Sequence, residues 1–188
     1  MNTRTNLLCL LCVLAFATCN KKPETDPKEI AEEQNEKKFD TTNLENDSEF
    51  AVAAASGGLL EVKLGELALV NGSSAGIKKF GQSMVDDHTK ANMELMALAQ
   101  QKQISIPATL SEKHQQKYDE LSKKTGEEFD RAYAEYMVED HKEDIDAFKK
   151  QAEKGNDSDL KAWAETKIPT LEHHLAMAET VEKEVDPK

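Results

Sequence analysis

The sequence predicts an all-α protein, a four-helix bundle with a long crossover between its second and third helices. Three observations predict it. Apolar residues recur at steps of three and four in long stretches, the signature of amphipathic helices. No segment alternates convincingly in the manner of a strand. Two short turn motifs and one long polar connection then divide the helical stretches into two pairs.

Residues 1–18 are not part of that fold. Arg4 precedes an eleven-residue apolar run, "LLCLLCVLAFA". A membrane span needs roughly 20 residues, so this run fits a secretory signal peptide. "FATCN" follows, and it resembles a bacterial lipobox in which Cys19 becomes the lipid-attached N-terminus, with Phe16 and Thr18 departing from the usual residues. The alternative is a plain signal peptide with an incidental cysteine. After cleavage, Cys19 is the one cysteine left of three, so no intramolecular disulfide supports the core. Loss of Arg4 takes the formal net charge from −12 to −13. Such acidity repels phosphate backbones and excludes nucleic acid as a natural partner. It also disfavours adsorption to anionic lipid, so membrane attachment is expected through acyl chains on Cys19.

Residues 19–46 are expected to form an acidic, flexible tether with a reach of about 30 Å, because they hold two prolines and little to bury. The bundle domain is expected over 47–188. Asp47 is a candidate N-cap for a helix over 48–70, which "NGSS" ends. A second helix carries the stripe Ile77, Phe80, Met84, His88, Ala91, Leu95 and Leu98, and "ISIP" stops it. Residues 110–124 fit a short helix within the crossover. A third long helix carries Phe129, Tyr133, Met137, His141, Ile145, Phe148 and Ala152, and "KGNDSD" makes the second turn. The fourth carries Leu160, Ala164, Leu171, His174, Ala178 and Val181, with Pro169 a candidate kink. One long crossover makes the second and third helices parallel, the connectivity of ferritin-like folds.

Two near-identical pentapeptides, "MVDDH" at 84–88 and "MVEDH" at 137–141, place His88 and His141 where core residues are expected. Each lies about fifteen residues from its hairpin turn, roughly 22 Å along a helix, so both come to mid-height. His174 occupies the same position on the fourth helix, while His173 points about 100° away, to the flank. Glu61 turns inward from the first helix. Three imidazoles and a carboxylate at one level suit a single transition metal ion, Zn, Fe, Mn or Cu. Asp87 and Asp140 stand beside His88 and His141 as outer partners. In the alternative, these acids hold metal-free core histidines, and the protein is a structural or interaction module with an envelope protein partner.

"SGGLLEVKLGELA", "MVDDHTKAN", "ISIP", "FDRAYAEYMVEDHKE", "DLKAWA" and "IPTLEHHL" together resemble a bacterial family of predicted outer-membrane proteins. That family carries a domain of unknown function and is classed as ferritin-like. The resemblance covers about residues 47–183 and implies a secreted, envelope-associated helical bundle; with the lipobox at Cys19, an outer-membrane lipoprotein facing the periplasm is expected. It supports His88, His141, His174 and Glu61 as the site, and it carries no reaction. Ferritin-like di-iron proteins set a glutamate one turn before each ligand histidine. Val85, Val138 and Leu171 stand there instead, which disfavours a carboxylate-bridged di-iron centre and oxidase chemistry. "GSSAG" at 72–76 matches a hydrolase nucleophile elbow, but without a sheet it is expected to be a helix–helix turn. His114 is expected to be solvated in the crossover.

Overall fold

The computed structural model describes residues 26–40, 42 and 44–186. These form an all-α bundle of six helices: α1 Pro27–Phe39, α2 Glu45–Asn71, α3 Ala75–Lys102, α4 Glu112–Ser122, α5 Gly126–Lys154 and α6 Ser158–Val185. No strand occurs among the described residues. Cys19 and residues 1–18, where a signal peptide is expected, lie outside them. No described helix is long and apolar enough to cross a membrane.

The long helices pair as hairpins, α2 with α3 and α5 with α6, and the pairs meet through α2–α5 and α3–α6 contacts. Small residues let the first pair approach closely. A side-chain carbon at Gly65 would come within 2.7 Å of the Gly81 carbonyl oxygen, so neither glycine can grow without parting α2 from α3. Ser74 caps α3 by accepting from Ile77 N, and Asp157 caps α6 by accepting from Asp159 N and Leu160 N. "GSSAG" is thus the α2–α3 turn. The α6 helix runs through Pro169 without a break in its span.

Two buried aspartates tie the pairs together. Asp47 is corrected as an N-cap: it lies inside the first turn of α2, whose N-cap is Leu44. Its carboxylate instead accepts from Gln151 Nε2 on α5 and from the backbone N–H groups of Asn156 and Asp157 in the α5–α6 turn. Asp130, near the start of α5, accepts from Ser73 N, Ser74 N and Ser73 Oγ in the α2–α3 turn. The start of each of these helices therefore meets the end of the other, so α2 and α5 run antiparallel and α3 and α5 run parallel.

The tether expectation is corrected over 27–39. Asp26 accepts from Lys28 N, Pro27 occupies the first turn, and Ala31, Asn35 and Phe39 are buried at four-residue spacing on α1. Asn35 exchanges two hydrogen bonds with the Ser105 backbone, at 2.8 and 2.7 Å. Phe39 packs with Ala51, Ala55, Leu95 and Ile104. His114 is corrected too. It is half-buried, and its Nδ1 contacts Ser56 O at 2.9 Å and Ser56 Oγ at 3.0 Å, which docks α4 on α2.

Candidate metal centre

The core divides into layers. One apolar cluster, including Leu64, Phe80, Met84, Phe129, Tyr133 and Met137, fills one end of the bundle. Two smaller clusters built around Leu95, Leu160, Ile145 and Phe148 fill the other. Between them lies a polar layer with one residue from each long helix: Glu61 on α2, His88 on α3, His141 on α5 and His174 on α6. All four are buried, with Glu61 1%, His88 6% and both other histidines 0% exposed. The structure thus brings together the four residues that the sequence singled out, and it leaves His173 exposed on the flank.

The three imidazoles form a triangle, with ring centroids 5.2 Å apart for His88–His174, 5.5 Å for His141–His174 and 5.8 Å for His88–His141. One ring nitrogen from each lies within 4.8 Å of the other two. Each ring also has an engaged nitrogen. His88 Nδ1 is 2.7 Å from Glu61 Oε2, His174 Nε2 is 2.9 Å from Asp87 Oδ2, and His141 Nδ1 donates to Met137 O at 3.0 Å. The other nitrogens are those left to converge. His88 Nε2 and His174 Nδ1 stand 3.3 Å apart, and His141 Nε2 has no hydrogen-bond partner.

Asp87 was expected beside His88 but serves His174, across the α3–α6 contact. Asp140 accepts from Tyr136 OH at 3.0 Å and has a donor atom within 4.8 Å of those of Glu61 and His141. Glu61 Oε1, 3.6 Å from His141 Nε2, and Asp140 Oδ2 are both buried without a hydrogen-bond partner. Asp144, one turn beyond Asp140, is a third acid here that sequence reasoning missed. Its signal was the four-residue spacing Tyr136, Asp140, Asp144 beside the histidine stripe.

Burial sets the charge state of the layer, because removal from water penalises the charged form. It pushes Glu61 up to about 8. It pushes Asp140 up to about 7, with the Glu61 charge adding to the effect. Asp144 is raised well above the carboxylate range by the same two causes. The imidazoles move the other way, His88 down to about 4, His174 to about 4 and His141 to about 3. In each, burial is the leading cause, and the three rings are neutral donors near pH 7.

The family model described as Domain of unknown function (DUF4142) matches residues 32–181. Its match begins inside α1, which agrees with α1 being part of the folded unit. No curated protein and no solved structure matches the chain.

Proposed function

We propose that this chain, which belongs to the DUF4142 family, is an envelope lipoprotein whose ferritin-like four-helix bundle holds one transition metal ion between His88, His141 and His174. The observation that carries this reading is the pairing of engaged and converging nitrogens. If His88 Nδ1 and His174 Nε2 carry the protons they give to Glu61 and Asp87, then two lone pairs face each other across 3.3 Å. A cation between them turns that repulsion into binding. Ligand histidines commonly donate their other N–H to a carboxylate or backbone carbonyl, which fixes the tautomer, and all three rings here have such an acceptor. Metal–nitrogen bonds of roughly 2.0–2.1 Å place tetrahedral donor atoms about 3.3 Å apart.

On this reading Glu61 orients His88 rather than ligating the ion. Its Oε2 lies at Nδ1, on the far side of the ring from Nε2, while its Oε1 stands 3.6 Å from His141 Nε2. Asp87 plays the same part for His174. The neutral imidazole set suits Zn, Cu, Fe or Mn, in a sensor, a metal buffer or a stress-protection factor anchored through Cys19.

A metal-free module is the second reading. The observation favouring it is the same 3.3 Å contact, which serves as a hydrogen bond when His88 carries its proton on Nε2. Melting curves separate the two, using chelator-stripped chain from Asn20 onward, without a histidine tag. Binding to the folded state alone adds about 2.7 kcal/mol at a hundredfold excess over Kd. For a domain of this size that raises Tm by roughly 5–11 °C. His141→Ala should abolish the shift. Curves unmoved by all four metals would leave the metal-free module standing.

A further inference from the structure

We propose that the three-histidine centre keeps one coordination position open and that a cavity beside it admits a small monoanion to that position. This rests on the metal reading above.

The donor count comes first. His88, His141 and His174 supply three nitrogens, whereas Glu61 and Asp87 are each turned to the far nitrogen of a ring. A site closed for structural purposes has four protein donors, while one with three leaves a place for an exogenous ligand. One further oxygen, Glu61 Oε1, stands 3.6 Å from His141 Nε2, but its carboxylate is held at His88 Nδ1 through Oε2.

A way in exists. A cavity of about 100 Å³ has Glu61, His88 and His174 among its lining residues. His141 does not line it, so the cavity meets the triangle along the His88–His174 edge, away from the third donor. Gly58, Phe148, Trp163 and Leu171 give it apolar walls. With a water taking about 30 Å³ of liquid volume, the space suits a molecule of two to four heavy atoms.

Charge selects the class. Three neutral imidazoles leave the charge of a dication uncompensated by its own ligands. Lys90 and Lys167 also line the cavity, Lys167 being ion-paired with Glu94. Both features attract an anion. Asp87 lines the same space and opposes a second negative charge, which limits the guest to one.

The test uses the chain from Asn20 onward, loaded with Co(II), whose visible bands report coordination, and titrated with azide. Azide should change the bands saturably, and acetonitrile, a neutral donor of similar size, should not. Ala54→Leu and Ala91→Leu each add three carbons to the cavity lining. Both should take up Co(II) with the wild-type starting spectrum and weaken azide by about tenfold or more, 1.4 kcal/mol. Bands unmoved by azide would overturn the open position. Wild-type azide affinity in both leucine variants would overturn the cavity as the route, and an equal response to acetonitrile would overturn the anion. A folded chain that takes up no Co(II) would instead refute the metal centre itself, and this inference with it.

Discussion

Replacing Asp47 by alanine removes one carboxylate that holds three donors from two other elements. Asp47 is 0% exposed, so its own desolvation is already met by Gln151 Nε2, Asn156 N and Asp157 N. Hydrogen bonds to a carboxylate contribute about 1.5–3 kcal/mol each. Asn156 is exposed and Asp157 half-buried, so water replaces part of the loss at the turn, but it reaches the buried Gln151 amide poorly. A net cost of about 3 kcal/mol follows, which lowers Tm by roughly 6–12 °C in a domain of this length. The assay is thermal unfolding by far-UV circular dichroism, with the exposed Asp146→Ala as control. Asp130→Ala should cost a similar amount by freeing the α2–α3 turn. Asp47 and Asp130 lie at opposite ends of bundle helices about 40 Å long, so the double variant should lose the sum of the two. A change within 2 °C for Asp47→Ala, or a double variant no worse than either single, would refute the view that these aspartates clasp the hairpins independently.

Phe39→Ala, which empties a buried site between α1, α2 and α3, should cost about 3 kcal/mol, and removal of residues up to Asp40 should cost at least that. An unchanged urea midpoint for both would mean that α1 is an ornament of the bundle. His114 yields a pH prediction. Burial lowers its pKa below the ordinary 6.5, so the unfolded chain takes up its proton first as pH falls. The stability contributed by neutral His114 is therefore fully present above pH 6.5 and is lost as pH drops below it. Compared with His114→Asn, wild type should show an advantage that is constant from pH 7 to 8 and shrinks towards pH 5. A constant difference across that range would refute the assignment.

The four long helices and the polar layer were legible because one periodicity specifies both. A residue at the right step on an apolar stripe faces the core whether it is Met84 or His88, and Glu61, His88, His141 and His174 all follow that rule. What the stripes could not show is which acid meets which ring. Adjacency suggested Asp87 for His88, but successive residues on a helix point about 100° apart. Asp87 faces α6 and takes His174, while His88 finds Glu61 on α2. Helix α1 was obscured by composition. Its charged residues hid a narrow face of Ala31, Asn35 and Phe39, and the Asp26–Pro27 pair that starts it is a standard helix opening.

The doubled pentapeptide marks two of the three histidines but is not the repeat that organises the fold. Its offset of 53 residues (141 − 88) relates α3 to α5, which run parallel but are neither a hairpin nor a principal packing pair. The relation that organises the fold is 83 residues. It maps Asp47 onto Asp130 (130 − 47), Gly72 onto Gly155 (155 − 72) and the cap Ser74 onto the cap Asp157 (157 − 74). Each of those pairs does one job at both ends of the bundle, closing a turn or clasping one hairpin to the other. The same offset carries Glu61 onto Asp144 (144 − 61), but it carries His88 onto Leu171, three residues short of His174. The framework is therefore nearly symmetric while the site is not. Residues that close turns answer to backbone geometry that both hairpins share. The histidines answer to one another, and three rings meeting at a single point cannot obey a two-fold relation.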